Sequence, residues 1–336
     1  MNQNSNKTPI ADLGEFAFID RLATGFQIKQ PSTVKGIGDD AAVLQYGDTC
    51  QLTSTDLFLE GVHFNLMYTP LKHLGYKIVV AGVSNIYAMN AYPRQLLLSV
   101  GVSSKFFVED IEELYDGVRL ACERYNVDLV GGDTSASLTG LTLNVAVIGE
   151  GDKEHITYRS GAHANDLVCL TGDLGAAYMG LQLLERERIV FESNPNAQPQ
   201  LGGYDYILQR QLKPEARKDI VDILREIGVK PTAMIDVSDG LSSELLHICK
   251  QSGTGVRIYL DKLPIASETF KICEEMNTDA VTAALNGGDD YELLFTVPIE
   301  YHDKIKGLDG FNIIGHITDA GKGAYLTTPD GEEIEL

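Results

Sequence analysis

Met234-Ile235-Asp236-Val237-Ser238-Asp239-Gly240-Leu241 is the stretch on which the reading of this chain turns. Met234 to Val237 is a short apolar run of strand length, and Leu241 to Gln251 spaces its apolar residues as a helix does. Ser238-Asp239-Gly240 joins the two with residues that open helices and permit tight turns. The free N–H groups at such a helix start suit a phosphate, and the flanking aspartates suit its cation. Taken alone, simple capping explains the stretch equally well.

Working outward, strands and helices alternate along the whole chain. Before this stretch come a helix from Leu13 to Phe26, with Asp12 as its N-cap, a strand from Gln51 to Asp56 and a long buried helix from Leu71 to Ala91. A strand from Gln95 to Val102, an amphipathic helix from Val108 to Tyr125, and strands at Val127 to Val130 and Leu141 to Ile148 complete the first half. Gly149 to Ala164 is polar and reads as a connection. Asp166 to Leu170 is a strand leading to a helix near Leu174. The loop Pro195 to Gly203 and helices at Tyr204 to Gln211 and Glu215 to Ile227 follow. Val256 to Leu260, Tyr291 to Val297 and Phe311 to Ile317 complete a second sheet. The expected class is α+β, with two helix-covered sheet domains at residues 10–150 and 151–336 after a disordered tail at 1–9.

Composition narrows the function. The 336 residues are 44% hydrophobic and 22% charged, ordinary globular usage, and no apolar run has membrane-spanning length. The polar start lacks the apolar core of a secretory signal, so a cytoplasmic location is expected. Five cysteines without a CxxC pair argue against disulfides and structural zinc. The formal net charge of −21 disfavours nucleic acid and anionic membranes as partners. A polyanionic ligand would need cations between its phosphates and the protein's carboxylates.

Five clusters could hold those cations. They are Gly36-Ile37-Gly38-Asp39-Asp40, Ser54-Thr55-Asp56 followed by Glu60-Gly61-Val62-His63-Phe64, Gly131-Gly132-Asp133-Thr134, Asp236 to Leu241, and Gly287-Gly288-Asp289-Asp290-Tyr291-Glu292. Each has a bland explanation as a turn or cap, and His63 alone reads as an ordinary packed or surface imidazole. Five together at strand ends are poorly explained that way. Hydroxyl, carbonyl and carboxylate oxygens form a hard set suited to magnesium. No P-loop, protein-kinase signature or well-placed dinucleotide fingerprint is present.

In this order and spacing the clusters resemble the thiamine-monophosphate kinase family, within the superfamily of aminoimidazole ribonucleotide synthetase. The resemblance runs from about Leu13 to about Thr318. Its most specific parts are Ile37 to Leu44, Ser54 to Phe64, Arg159 to Ala162, Asp236 to Leu241 and Gly287 to Pro298. It implies phosphorylation of thiamine monophosphate by ATP with several magnesium ions, and no dedicated general base. It implies metal ligands at Asp40, Ser54, Thr55, Asp56, Asp133, Asp236 and Asp239, and at Asn85, where the family carries Asp. ATP contacts are implied at Gly132, Asp133, Arg159 and Ser238, and acceptor contacts at His63 and Asp289, the latter in place of Glu. A homodimer is also implied, its two N-terminal sheets forming a barrel. Gly82, Asn90, Ser135 and Ala136 depart from the family pattern. Other acceptors within the superfamily, and a nucleotide-binding homologue without turnover, are the competing readings. The second is motivated by Asn85.

Overall fold

The computed structural model describes residues 7–336; positions 1–6 of the expected disordered tail lie outside them. Helices α1 (Ile10–Leu13) and α2 (Glu15–Ala23) come first. The single helix expected from Leu13 to Phe26 is broken at Gly14, whose φ of 71° leaves the right-handed helical region. Asp12 therefore lies inside α1 instead of capping a longer helix.

The first sheet has β1 (Thr33–Lys35), β2 (Ala42–Tyr46), β3 (Thr49–Leu59), β4 (Tyr92–Val102), β5 (Asp128–Ala136) and β6 (Thr142–Asp152), ordered β1-β2-β3-β6-β4-β5. Helix α3 (Leu71–Tyr87) links β3 to β4, and α4 (Val108–Tyr125) makes the crossover between the parallel strands β4 and β5. The expected helix end at Ala91 falls at Tyr87, and a turn through Asn90 (φ 56°) starts the next strand. Strand β5 does not stop before Gly131-Gly132-Asp133 but runs through them. A Cβ on Gly132 would lie 1.8 Å from the Leu98 carbonyl oxygen, so only glycine lets the two strands approach there.

The second half contains β7 (Leu167–Thr171), α5 (Ala176–Ser193), α6 (Asp205–Leu212), α7 (Lys218–Glu226), β8 (Ala233–Val237) and α8 (Leu241–Ser252). Then come β9 (Gly255–Tyr259), α9 (Ser267–Met276), α10 (Ala280–Asn286), β10 (Glu292–Val297), α11 (His302–Ile305), β11 (Phe311–Thr318), β12 (Ala324–Thr327) and β13 (Glu333–Glu335). The sheet order is β13-β12-β9-β11-β7-β10-β8. Strands β7, β8 and β10 are buried along their whole length, as near-continuous apolar runs require. Strands β1, β12 and β13 and helices α9 to α11 were not expected from the sequence; most are short, with little room for periodicity.

Helix α3 is the central element. Thirteen of its residues are buried, because it is clamped between α4, the first sheet and β8. Glycines make the clamp possible. A Cβ on Gly75 would fall 1.9 Å from the Leu114 carbonyl oxygen of α4, and one on Gly117 would fall 1.8 Å from the Lys72 carbonyl oxygen of α3. On the sheet side a Cβ on Gly82 would meet Val147 of β6 at 2.6 Å. Backbone cannot retreat as a side-chain tip can, so overpacking at Gly75 or Gly117 must separate the helices. Gly75→Ala is expected to cost about 3 kcal/mol or more of stability, read as a lower urea midpoint with an unchanged slope.

Candidate active site

The register of the second sheet brings two motifs together. Strand β8 pairs antiparallel with β10, setting Asp236 opposite Leu293 and Val237 opposite Glu292. The turn before β10 then rides on the end of β8. The Asp289 N–H donates to the Ser238 carbonyl at 2.8 Å and the Tyr291 N–H to the Val237 carbonyl at 2.9 Å. Both Asp289 (φ 61°) and Tyr291 (φ 52°) are left-handed, an uncommon backbone for non-glycine residues that these hydrogen bonds help to hold.

Strand β3 supplies the next pair. Side chains alternate along a strand, so Ser54 and Asp56 face α3 while Thr55 faces the other way. The Ser54 hydroxyl lies 3.4 Å from the Gly82 carbonyl, and the Thr55 hydroxyl instead accepts from Asn144 at 2.9 Å on the opposite, exposed face. Asp40 is buried just before β2, where Arg159 clasps it at 2.6 Å; the Arg159 N–H also donates to Asp39 at 3.1 Å.

Helix α3 then supplies one donor to each of three carboxylates. Lys77, Ala81, Ser84 and Asn85 stand at i, i+4, i+7 and i+8 and so share one helix face. Lys77 Nζ reaches Asp289 Oδ2 at 2.9 Å, the Ser84 hydroxyl reaches Asp236 Oδ2 at 2.6 Å, and the Asn85 amide reaches both Asp56 oxygens at 3.1 and 3.0 Å. These carboxylates face a cavity of about 810 Å³ whose walls include Asp56, Asn85, Asp236, Asp239, Asp289 and Tyr291. Ser238 and His63 also line it. His63 Nδ1 accepts the Leu59 N–H at 3.0 Å, which places the ring proton of the neutral imidazole on Nε2.

The acidic groups are strained electrostatically. Burial pushes the Asp40 carboxyl up to about 7 against the pull of Arg159, and the Asp236 charge adds to the rise. Burial lifts Asp56 to about 6, opposed by Asn85 and assisted by Asp40. Asp236 is raised to about 6 by burial, with Ser84 and Arg159 pulling it down. Glu244 of α8, buried and accepting the Asp239 N–H at 3.0 Å, is raised well above the usual carboxylate range, chiefly by burial.

One oxygen of Asp40, Oδ2, is buried without a hydrogen-bond partner. Together with three carboxyls driven toward protonation, it marks unmet negative charge that suits a divalent cation. Among the described residues no three His, Cys, Asp or Glu side chains are placed to hold an ion by themselves. A hard cation here would draw its remaining oxygens from substrate phosphate and water, as magnesium commonly does.

Asp40, Ser54, Thr55 and Arg159 do not line this cavity, and two further expected residues lie elsewhere. Gly132 and Asp133 line a separate groove of about 530 Å³ with Tyr115. Strands β6 and β4 lie between β3 and β5, a separation of roughly 14 Å at the usual strand spacing. The functional candidates that sequence reading missed are Lys77, Ser84, Tyr291 and Glu244. Lys77 and Ser84 carried a signal, since a lysine and a serine within a buried apolar helix must find partners.

The fold and motifs define an AIR synthase-related protein. The family described as AIR synthase related protein, N-terminal domain, matches residues 38–150, and its C-terminal domain counterpart matches residues 164–326. The thiamine-monophosphate kinase of Aquifex aeolicus (strain VF5) is 33% identical, covering 97% of this chain and 97% of that protein. The Bacillus subtilis (strain 168) thiamine-monophosphate kinase is 36% identical, covering 88% of this chain and 86% of its own length. Among solved structures, AaThiL complexed with AMPPCP and TMP superposes with a TM-score of 0.83 at 31% identity, covering 99% of this chain and 98% of that one. The chain belongs to the thiamine-monophosphate kinase family. No helix among the described residues is long and apolar enough to cross a membrane.

The raised carboxyls give a signed prediction for the metal-free protein. From about pH 4 to about pH 7 the folded state binds more protons at Asp40, Asp56 and Asp236 than the unfolded state does. Their contribution to stability is therefore greatest below the unfolded pKa and is lost as pH rises through the folded values. In chelator, the urea midpoint should fall from about pH 5 to about pH 7.5, and Asp40→Asn should shrink that fall.

Proposed function

We propose that the chain transfers the γ-phosphoryl group of ATP to the phosphate of thiamine monophosphate, giving thiamine diphosphate and ADP. The observation that carries this reading is the single cavity in which Asp56, Asp236, Asp239 and Asp289 meet, on a chain alike end to end to thiamine-monophosphate kinases. In one displacement an acceptor phosphate oxygen bonds to the γ-phosphorus as the bond to the β–γ bridging oxygen breaks. The acceptor oxygen is already anionic, so the chain needs no general base. Its task is in-line positioning and charge neutralisation.

Asp40, Ser54, Thr55, Asp56, Asn85, Asp133, Asp236 and Asp239 form the proposed set for several magnesium ions, Thr55 through its backbone carbonyl, since its hydroxyl faces away. When bound, magnesium neutralises the phosphate oxygens and holds the two substrates together. Arg159 keeps Asp40 in place, and Ser238 at the start of α8 offers hydroxyl and amide groups to phosphate. His63 donates Nε2–H to the acceptor, and Asp289 faces it from the opposite motif. Gly132 and Asp133 belong to the nucleotide side. Their distance from the cavity within one chain supports a homodimer in which first sheets associate, and the exposed Leu57, Leu129 and Val130 on this sheet support the same arrangement. Residues 10–150 then form the metal, nucleotide and dimerisation domain and 151–336 the second domain of a cytoplasmic enzyme.

The Asn85 amide gives a second reading some weight. It donates to Asp56, so at this position the chain presents hydrogens where an acid would present oxygens. A protein that binds ATP with magnesium yet forms no ADP with any thiamine phosphate would be a nucleotide-binding homologue. The deciding experiment is a product assay with ATP, magnesium and either thiamine monophosphate or free thiamine. Diphosphate from the monophosphate alone is expected; no turnover with either defeats the kinase reading. Asp56→Asn should lower kcat on the order of 10²-fold or more while the fold survives. Asn85→Asp replaces a donor with a second carboxylate beside Asp56. It should lower the melting temperature in chelator and also lower the magnesium concentration for half-maximal rate; an unchanged requirement removes Asn85 from the metal set.

A further inference from the structure

Lys77 is an ammonium group in the wrong place for ordinary surface chemistry. It stands on the buried helix α3 with its side chain only 5% exposed. A lysine so placed costs several kcal/mol unless paired. Its Nζ has two partners, the Gln211 carbonyl oxygen of α6 at 3.0 Å and Asp289 Oδ2 at 2.9 Å. The other oxygen of Asp289 accepts the Tyr291 hydroxyl at 3.0 Å. Both carboxylate oxygens are thus occupied from fixed sides, one by a helix of the first half and one by the residue just before β10. Burial alone would raise the Asp289 carboxyl, but Lys77 and then Tyr291 hold it below the usual range. This sets Asp289 apart from Asp40, Asp56 and Asp236, which are all raised. One carboxylate of the cavity, Asp289, is thereby held from both sides by donors of the chain itself.

We propose that Lys77 is a positioning residue for the acceptor: it fixes the Asp289 carboxylate at the acceptor side of the cavity and, through Gln211, ties that carboxylate to α6. This rests on the assignment of Asp289 to the acceptor under the function proposed above. The Asp289 backbone is left-handed; its turn is held at the end of β8 and, through Asp290, by the Gly175 N–H and Arg210, but the Asp289 side chain itself takes its direction from Lys77 and Tyr291. Lys77 does not touch the nucleotide in this arrangement. Its loss should therefore weaken acceptor binding and leave ATP binding alone. A mere tie between the two halves of the chain would predict the reverse pattern: lower stability with both Michaelis constants unmoved.

The test is steady-state kinetics on the full chain with ATP, magnesium and thiamine monophosphate, each substrate varied, beside a melting curve for every variant. Lys77→Gln should raise the KM for thiamine monophosphate about tenfold or more, with the KM for ATP within about twofold. Lys77→Arg, which keeps the charge, should recover most of the loss. Asp289→Asn should reproduce the effect of Lys77→Gln, and the double variant should add little to either. An unchanged acceptor KM in Lys77→Gln, or an equal rise for both substrates, overturns the proposal. Should that variant fail to fold, Asp289→Asn decides: an acceptor KM like that of the wild type leaves Lys77 nothing to position. A wild type that turns over while these variants behave like it defeats only this inference, whereas an inactive wild type defeats the function and this inference together.

Discussion

A carboxylate taken out of water must find a donor or a cation, and four of them converge on one cavity here. The donors come from a single face of α3, where Lys77, Ser84 and Asn85 reach Asp289, Asp236 and Asp56 respectively. Those three acids come from three separate motifs on two sheets, which a one-helix stripe draws to a common spacing. The donors differ in kind, and so do the consequences. An ammonium leaves Asp289 ionised, whereas a hydroxyl and an amide leave Asp236 and Asp56 raised to about 6. The helix thus sorts the carboxylates into one that is electrically complete and others that are not.

Net charge takes on a different meaning in this light. A chain at −21 repels a nucleotide at long range. At close range the incomplete carboxylates bind cations, and the cations bind phosphate, so affinity for a polyanion arises from acidity itself. Among the described residues only Arg159 and Lys77 form ion pairs with these acids, and each is thereby engaged, with Asp40 and Asp289. Neither is a free phosphate clamp. That leaves metal-bridged binding as the arrangement to which these contacts are suited.

Much of this was legible in the residues, and the exceptions are instructive. The strand–turn–helix of Asp236 to Leu241 and the turn before Glu292 are local patterns, and both form where expected. Their adjacency is a register of β8 against β10, which no local pattern encodes. Asp133 reads as a strand-end residue after the short strand Val127 to Val130, yet β5 continues through the paired glycines, and Gly132 serves a close strand approach. Thr55 was grouped with its neighbours by sequence, but the two-residue alternation of a strand sends its hydroxyl to the other face. Asn85 was read as an oxygen ligand; its amide hydrogens face Asp56, a choice that only the partner's position could reveal.

The position of α3 is therefore as much a part of the site as its donors. Hydrogen bonds between 2.6 and 3.1 Å tolerate little displacement, so the helix must be held to within a fraction of an ångström. Side-chain packing alone yields more than that. Backbone against backbone does not, and the side of the helix facing α4 is fixed in that manner, while the side facing the sheet meets it through a glycine against a valine. Gly75 lies against the α4 carbonyl of Leu114, Gly117 of α4 lies against Lys72, and Gly82 lies against Val147 of the sheet. Gly75 lies two residues before Lys77, and Gly82 two before Ser84 and three before Asn85. Each donor is thus anchored within a turn of helix by a glycine contact that larger residues could not make. Stability and site geometry are two readings of one close packing, which is why residues with no side chain sit at the centre of a site defined by charge.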